Sequence, residues 1–133
     1  MSQCGYGFVE ETGVPFDEAV RRAEAALAAE GFGVVCRIDM QAKLKEKLGV
    51  DVPPYLILGA CKPATAHLAL AAEPDLGLLL PCNVVVYERD GRVRVGAVDA
   101  VRLLSLVGNP QMEPMAREVN AALQRAVSAA AHG

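Results

Sequence analysis

Apolar and polar positions change period several times along this chain, and each change marks an element. Phe16, Val20, Ala23 and Leu27 recur at helical spacing behind Pro15, which suits a first helical turn, with Asp17 and Glu18 at the positive end of the dipole. Gly31 then offers a left-handed cap, placing Phe32 to pack back on Leu27. Val34, Cys36 and Ile38 alternate with Val35 and Arg37, the period of a strand with Cys36 facing inward. Asp39 is positioned to cap a second helix, whose stripe is Met40, Leu44 and Leu48 and whose stop is Gly49.

The later half follows the same logic. Tyr55 to Leu58 is a short, fully apolar run that predicts a central strand, and Ala64 to Ala72 predicts a short helix stopped at Glu73-Pro74-Asp75. Asn83 to Glu88 and Arg92 to Val98 are β-rich runs joined through Asp90-Gly91, a pair that tolerates the positive φ of a tight hairpin. Leu103, Leu104, Leu106 and Val107 form an apolar segment ended by Gly108-Asn109-Pro110. A long final helix carries Met112, Met115, Val119, Leu123, Ala126 and Val127 on one stripe, with Ala129 to Ala131 expected to fray and His132 expected in the tail. A short opening strand is predicted over Cys4 to Val9, weakened by its glycines.

This order predicts an α+β fold. The chain reads as a single domain over residues 1–133, a mixed β-sheet of about five strands with helices packed mostly on one face. With 133 residues and 53% hydrophobic positions against 22% charged, it has the material for one compact core.

Charge narrows the partners. A formal charge of −3 gives no electrostatic reason to expect nucleic acid, whose binders carry a basic face. Lys43, Lys45 and Lys47 fan around their helix with Glu46 among them, which is the pattern of a solvated face. No apolar run approaches the roughly 20 residues of a membrane span, and the start lacks a basic-then-apolar leader. The expected location is the cytoplasm, without a membrane partner. There the four cysteines at positions 4, 36, 61 and 82 read as thiols, and no pair has the Cys-x-x-Cys spacing.

Candidate chemistry centres on two of those thiols. Cys61 lies in Gly59-Ala60-Cys61-Lys62-Pro63 and Cys82 in Leu80-Pro81-Cys82-Asn83, each beside a proline where a strand meets a loop. Lys62 and the helix that follows would favour a Cys61 thiolate, whereas packing at a strand end would leave it a quiet apolar thiol. Together with His67, the two cysteines would make a Cys₂His set for zinc or Cu(I), though their spacing follows no standard ligand pattern and no metal is expected. Cys4 and Cys36 read as structural. Serine-elbow, Walker and dinucleotide-binding motifs are missing, no cofactor is identified, and Glu10 and Glu11 point to opposite faces of their strand.

Gly59 to Pro63, taken together with Pro74 to Val86, resembles the core pattern of the bacterial and archaeal family called domain of unknown function 302. Phe16 to Val20 and Glu30 to Val34 are similar to that family's first helix and second strand. The resemblance implies a small α+β fold that associates as a homodimer. It implies no activity, and it maps the family's cysteine-bearing segments onto Cys61 and Cys82.

The reading that follows is a non-enzymatic, homodimeric small-ligand-binding module. Its candidate site is Gly59, Cys61, Lys62, His67, Pro81, Cys82 and Asn83, near the Cys61 and Cys82 loops. Two alternatives stay open: a thiol-dependent enzyme or redox sensor using Cys61, and a purely structural or interaction protein.

Overall fold

A computed structural model describes residues 2–133. In chain order the elements are β1 (Ser2–Gln3), β2 (Gly7–Thr12), α1 (Phe16–Ala29), β3 (Gly33–Asp39), α2 (Met40–Leu48), β4 (Tyr55–Cys61), α3 (Pro63–Ala72), β5 (Cys82–Arg89), β6 (Arg92–Val98), α4 (Ala100–Ser105) and α5 (Glu113–His132). Short 3-10 turns lie at Pro74–Leu78 and Pro110–Met112. The strands form one sheet in the order β1-β2-β6-β5-β4-β3.

The α+β class stands, and each of these strand pairings is antiparallel rather than mixed. The reason is the reach of α1. It carries the chain from β2 near one edge to β3 at the other, so β3 never lies beside the strand that precedes it. β3 pairs instead with β4, which returns alongside it after α2.

One face of the sheet is covered by α1 and α5. Leu56, Leu58, Val84, Val86, Val93 and Val95 meet Val20, Leu27, Val119, Leu123 and Val127 in the main core. Burying each such side chain contributes about 1.5–3 kcal/mol. A smaller cluster of Ala69, Leu76, Leu104, Met112 and Ala116 closes the end of the molecule where α3, α4 and α5 converge.

Local signals explain the ends of several elements. Gly31 has φ +86, and the Phe32 N–H donates to the Leu27 carbonyl at 2.9 Å while its ring is buried, so the left-handed cap forms as the sequence predicts. The Asp39 carboxylate accepts from the Ala42 N–H at 2.9 Å and starts α2. Asp90 and Gly91 both have positive φ, 55° and 74°, and close the β5–β6 hairpin between Arg89 and Arg92.

Four expectations need correction. The first strand of the pattern begins at Gly7 rather than Cys4, because Cys4 closes a turn by donating its N–H to the Gly7 carbonyl. Cys36 does not face inward: a register shift between Val34 and Cys36 breaks the alternation, and β3 is an edge strand that exposes this residue. The Met40, Leu44 and Leu48 stripe of α2 stays exposed or half-buried, with Leu48 at 69% exposure. The C-terminus does not fray at its alanines, since Ala130 and Ala131 are buried. Thr12 Oγ1 donates to the Ala131 carbonyl at 2.9 Å, and His132 Nε2 lies 3.2 Å from Glu10 Oε2.

Among the described residues, no helix is long and apolar enough to cross a membrane.

Candidate functional site

Cross-strand register decides which candidate residues meet. Ala60 pairs with Cys82 and Gly59 with Asn83, so the two cysteine segments are neighbours on β4 and β5. Successive strand residues point to opposite faces, which divides the candidate set. Cys82 turns toward the helices and is 5% exposed, whereas Asn83 turns to the uncovered face.

Cys61 and Cys82 both line a small cavity, with Ala60, Leu76, Leu80 and Met115 among its walls. Its volume is about 40 Å³, room for roughly one or two water molecules. Both thiols are free. Burial, with Cys61 close by as a second cause, pushes the Cys82 thiol up to about 11, so it is protonated and unreactive at neutral pH.

Lys62 lines the same cavity as the two thiols. Its Nζ stands 5.4 Å above the centre of the Phe32 ring. Glu30, whose carboxyl is held below the ordinary range chiefly by its hydrogen bonds from Arg125, also feels the Lys62 charge. His67 is exposed on the outer side of α3 while Thr65, Ala66 and Ala69 line the cavity, so the Cys₂His set is not assembled. Among the described residues, no group of three or more His, Cys, Asp or Glu side chains is placed to hold a metal.

Gly59 and Pro81 have a packing relationship on the other face. A Cβ on Gly59 would collide with Cys36 Sγ and sit 2.7 Å from Pro81 Cγ, so only glycine lets β3 and the Pro81 ring close over this point of β4. The Leu80–Pro81 peptide is cis.

The uncovered face holds the larger feature. A groove of about 430 Å³ runs over it, lined by Tyr6, Tyr55, Tyr87, Asn83, Val85 and Arg89 among others, within the roughly 300–1,000 Å³ usual for small-molecule sites. All three tyrosines of the chain line this one groove. Two glycines flatten its floor: a Cβ on Gly7 would meet the Ala97 carbonyl oxygen at 2.6 Å, and one on Gly96 would meet the Phe8 carbonyl oxygen at 3.0 Å. Tyr55 and Tyr87 stack across the β4–β5 ladder. Burial, then Tyr87 and Tyr6, raise the Tyr55 phenol above its ordinary range. At one end of the face Glu11 bridges Arg92 and Arg94, each at 3.1 Å, and Arg89 stands directly across from Arg92.

Of the sequence candidates, only Asn83 reaches this groove. The signal for the others lay in the period-two set Asn83, Val85, Tyr87 and Arg89, which is polar at both ends and apolar between. Tyr55 belongs to the fully apolar run Tyr55 to Leu58, whose lack of alternation gives no sign of the face each residue takes.

Comparison with known proteins agrees with this architecture. None of the curated proteins matches the chain. A crystal structure of an uncharacterised conserved DUF302 protein from Bacillus stearothermophilus is similar to it with a TM-score of 0.88 and 27% identity, covering 96% of this chain and 99% of that one. The family described as domain of unknown function DUF302 matches residues 8–130. With that match spanning nearly its whole length, the chain belongs to the DUF302 family.

Proposed function

We propose that this chain is a non-enzymatic, homodimeric module that holds a small molecule on the uncovered face of its sheet. The groove over Gly7 and Gly96 is the observation that carries the reading. It combines ligand-sized volume, an apolar floor and a few polar groups at its margins, the usual make-up of a binding site. The cavity at Cys61 and Cys82 is an order of magnitude smaller, at about 40 Å³. Its buried, protonated Cys82 favours a packing role for the pair over a thiol enzyme.

The second copy fits best along β3 and α2. Among the described residues β3 is the last strand of the sheet and leaves one side of its backbone without a neighbouring strand. Val35, Ile38, Leu48 and Val50 expose apolar side chains on this stretch, and unpaired edges of this kind invite pairing with another chain.

Chemical-shift mapping of the tyrosine rings against a set of small-molecule fragments tests the ligand site. Shifts in the Tyr6, Tyr55 and Tyr87 ring signals support it. Fragments that act only around Cys61, or on no part of the protein, overturn it.

A further inference from the structure

The groove also has a chemical preference, and the argument for it rests on the reading of the groove as a ligand site. Three rings surround the floor. Tyr55 and Tyr87 stand as a stacked pair with centroids 5.1 Å apart, and Tyr6, 75% exposed, stands at the rim. Such rings attract a flat aromatic partner through offset or edge-to-face contact. Gly7 and Gly96 add no side chain of their own, and Val9 and Val85 crowd close over Gly96, so a planar molecule meets the flanks of Val9, Val85 and Val98 together with the backbone.

Charge supplies the second half. Arg89 lines the groove itself. Opposite it, Arg92 and Arg94 share the carboxylate of Glu11. On the uncovered side of this end, Arg89, Arg92 and Arg94 present three guanidinium groups and Glu11 one carboxylate that Arg92 and Arg94 already share, while Glu88 belongs to the opposite face of its strand and Asp90 to the turn, so Arg89 is the cation left to face the groove. Guanidinium is permanently charged, and its planar fork suits a carboxylate or sulfonate.

We propose that the groove takes a planar aromatic molecule carrying one anionic group, its ring over Gly7 and Gly96 among the three tyrosines and its charge at Arg89. The tyrosines supply contact area at low cost in side-chain freedom, and Arg89 fixes the orientation. Asn83 lies at the other end of the β5 face, where its amide can meet a polar substituent of the ring.

Isothermal titration calorimetry with naphthalene-2-sulfonate and its uncharged sulfonamide tests this, on the wild-type chain and on Arg89→Gln. Arg89 is exposed at a strand end, so the variant should keep its fold, verified by circular dichroism. The expected result is sulfonate binding roughly tenfold tighter than sulfonamide, a gain that disappears in Arg89→Gln. Equal binding of the two probes would overturn the anionic preference while leaving the groove as a ligand site. A sulfonate preference that survives in Arg89→Gln would overturn the placement of the charge. Failure of both probes to bind would overturn the proposal and count against the ligand site as well.

Discussion

Tyr55 and Tyr87 are directly opposite each other on β4 and β5, and their rings stack with centroids 5.1 Å apart and planes 19° from parallel. The contact exists because residues in register on one face of an antiparallel pair bring their side chains together. It also makes Tyr55 a reporter. Burial, and to a lesser degree Tyr87 and Tyr6, hold its phenol protonated above the ordinary tyrosine range.

An absorbance titration at alkaline pH should therefore resolve one tyrosine that ionises later than a free phenol, which titrates near ~10. Tyr87→Phe should bring that step down only part of the way, because burial is the larger cause. A group with a raised folded pKa stabilises fully below its unfolded value and loses that contribution as pH rises through the folded one. Unfolding experiments should accordingly show stability declining across the alkaline step. Three tyrosines titrating together as free phenols would contradict the packing of the groove.

The four thiols should react in an order set by exposure. Cys4 and Cys36 are exposed, Cys61 half-buried and Cys82 buried. Alkylation of the native protein at neutral pH should label Cys4 and Cys36 first and Cys82 only on unfolding. The Cys82 thiol, raised to about 11, contributes stability that is complete below the ordinary thiol range and lost as pH climbs toward 11. Cys82→Ser should cost about 1–3 kcal/mol by placing a hydroxyl against an apolar wall, measured by chemical denaturation.

Gly59 allows a sharper test of geometry. Gly59→Ala puts a methyl group onto Cys36 Sγ and the Pro81 ring, and overpacking of this kind costs about 1–3 kcal/mol. The thiol can rotate or be removed, whereas the ring is fixed. The double variant Gly59→Ala, Cys36→Ala should recover part of the loss and never all of it. Full recovery in a denaturation cycle would show that Pro81 does not close over β4.

The hairpin and the first helix were legible because their signals are local. Asp90-Gly91 and the Gly31-Phe32 cap each specify backbone angles within a few residues, and both form as expected. Gly91→Val, at φ 74°, should cost roughly 1–3 kcal/mol and lower Tm by about 3–10 °C. What the sequence hid is relational. That Cys82 and Asn83 part to opposite faces depends on register, and that Tyr6, Tyr55 and Tyr87 share one groove depends on strand order. Cys36 misled because alternation names two faces without saying which is covered, and a bulge on an edge strand broke the alternation itself.

The same edge provides the test of assembly. β3 and α2 together leave Val35 at 62%, Ile38 at 40% and Leu48 at 69% exposure, on a strand with one free side. An isolated helix as short as α2 is marginal in water without tertiary burial of its apolar stripe, which is why the proposed second copy is placed against it. Val35→Lys with Leu48→Lys places charges on that edge while leaving the core untouched, since neither side chain is buried. Light scattering should then show a dimeric wild type and a monomeric variant whose circular dichroism is unchanged. A wild type that is monomeric at high concentration, or a variant that remains dimeric, would remove β3 and α2 as the pairing surface.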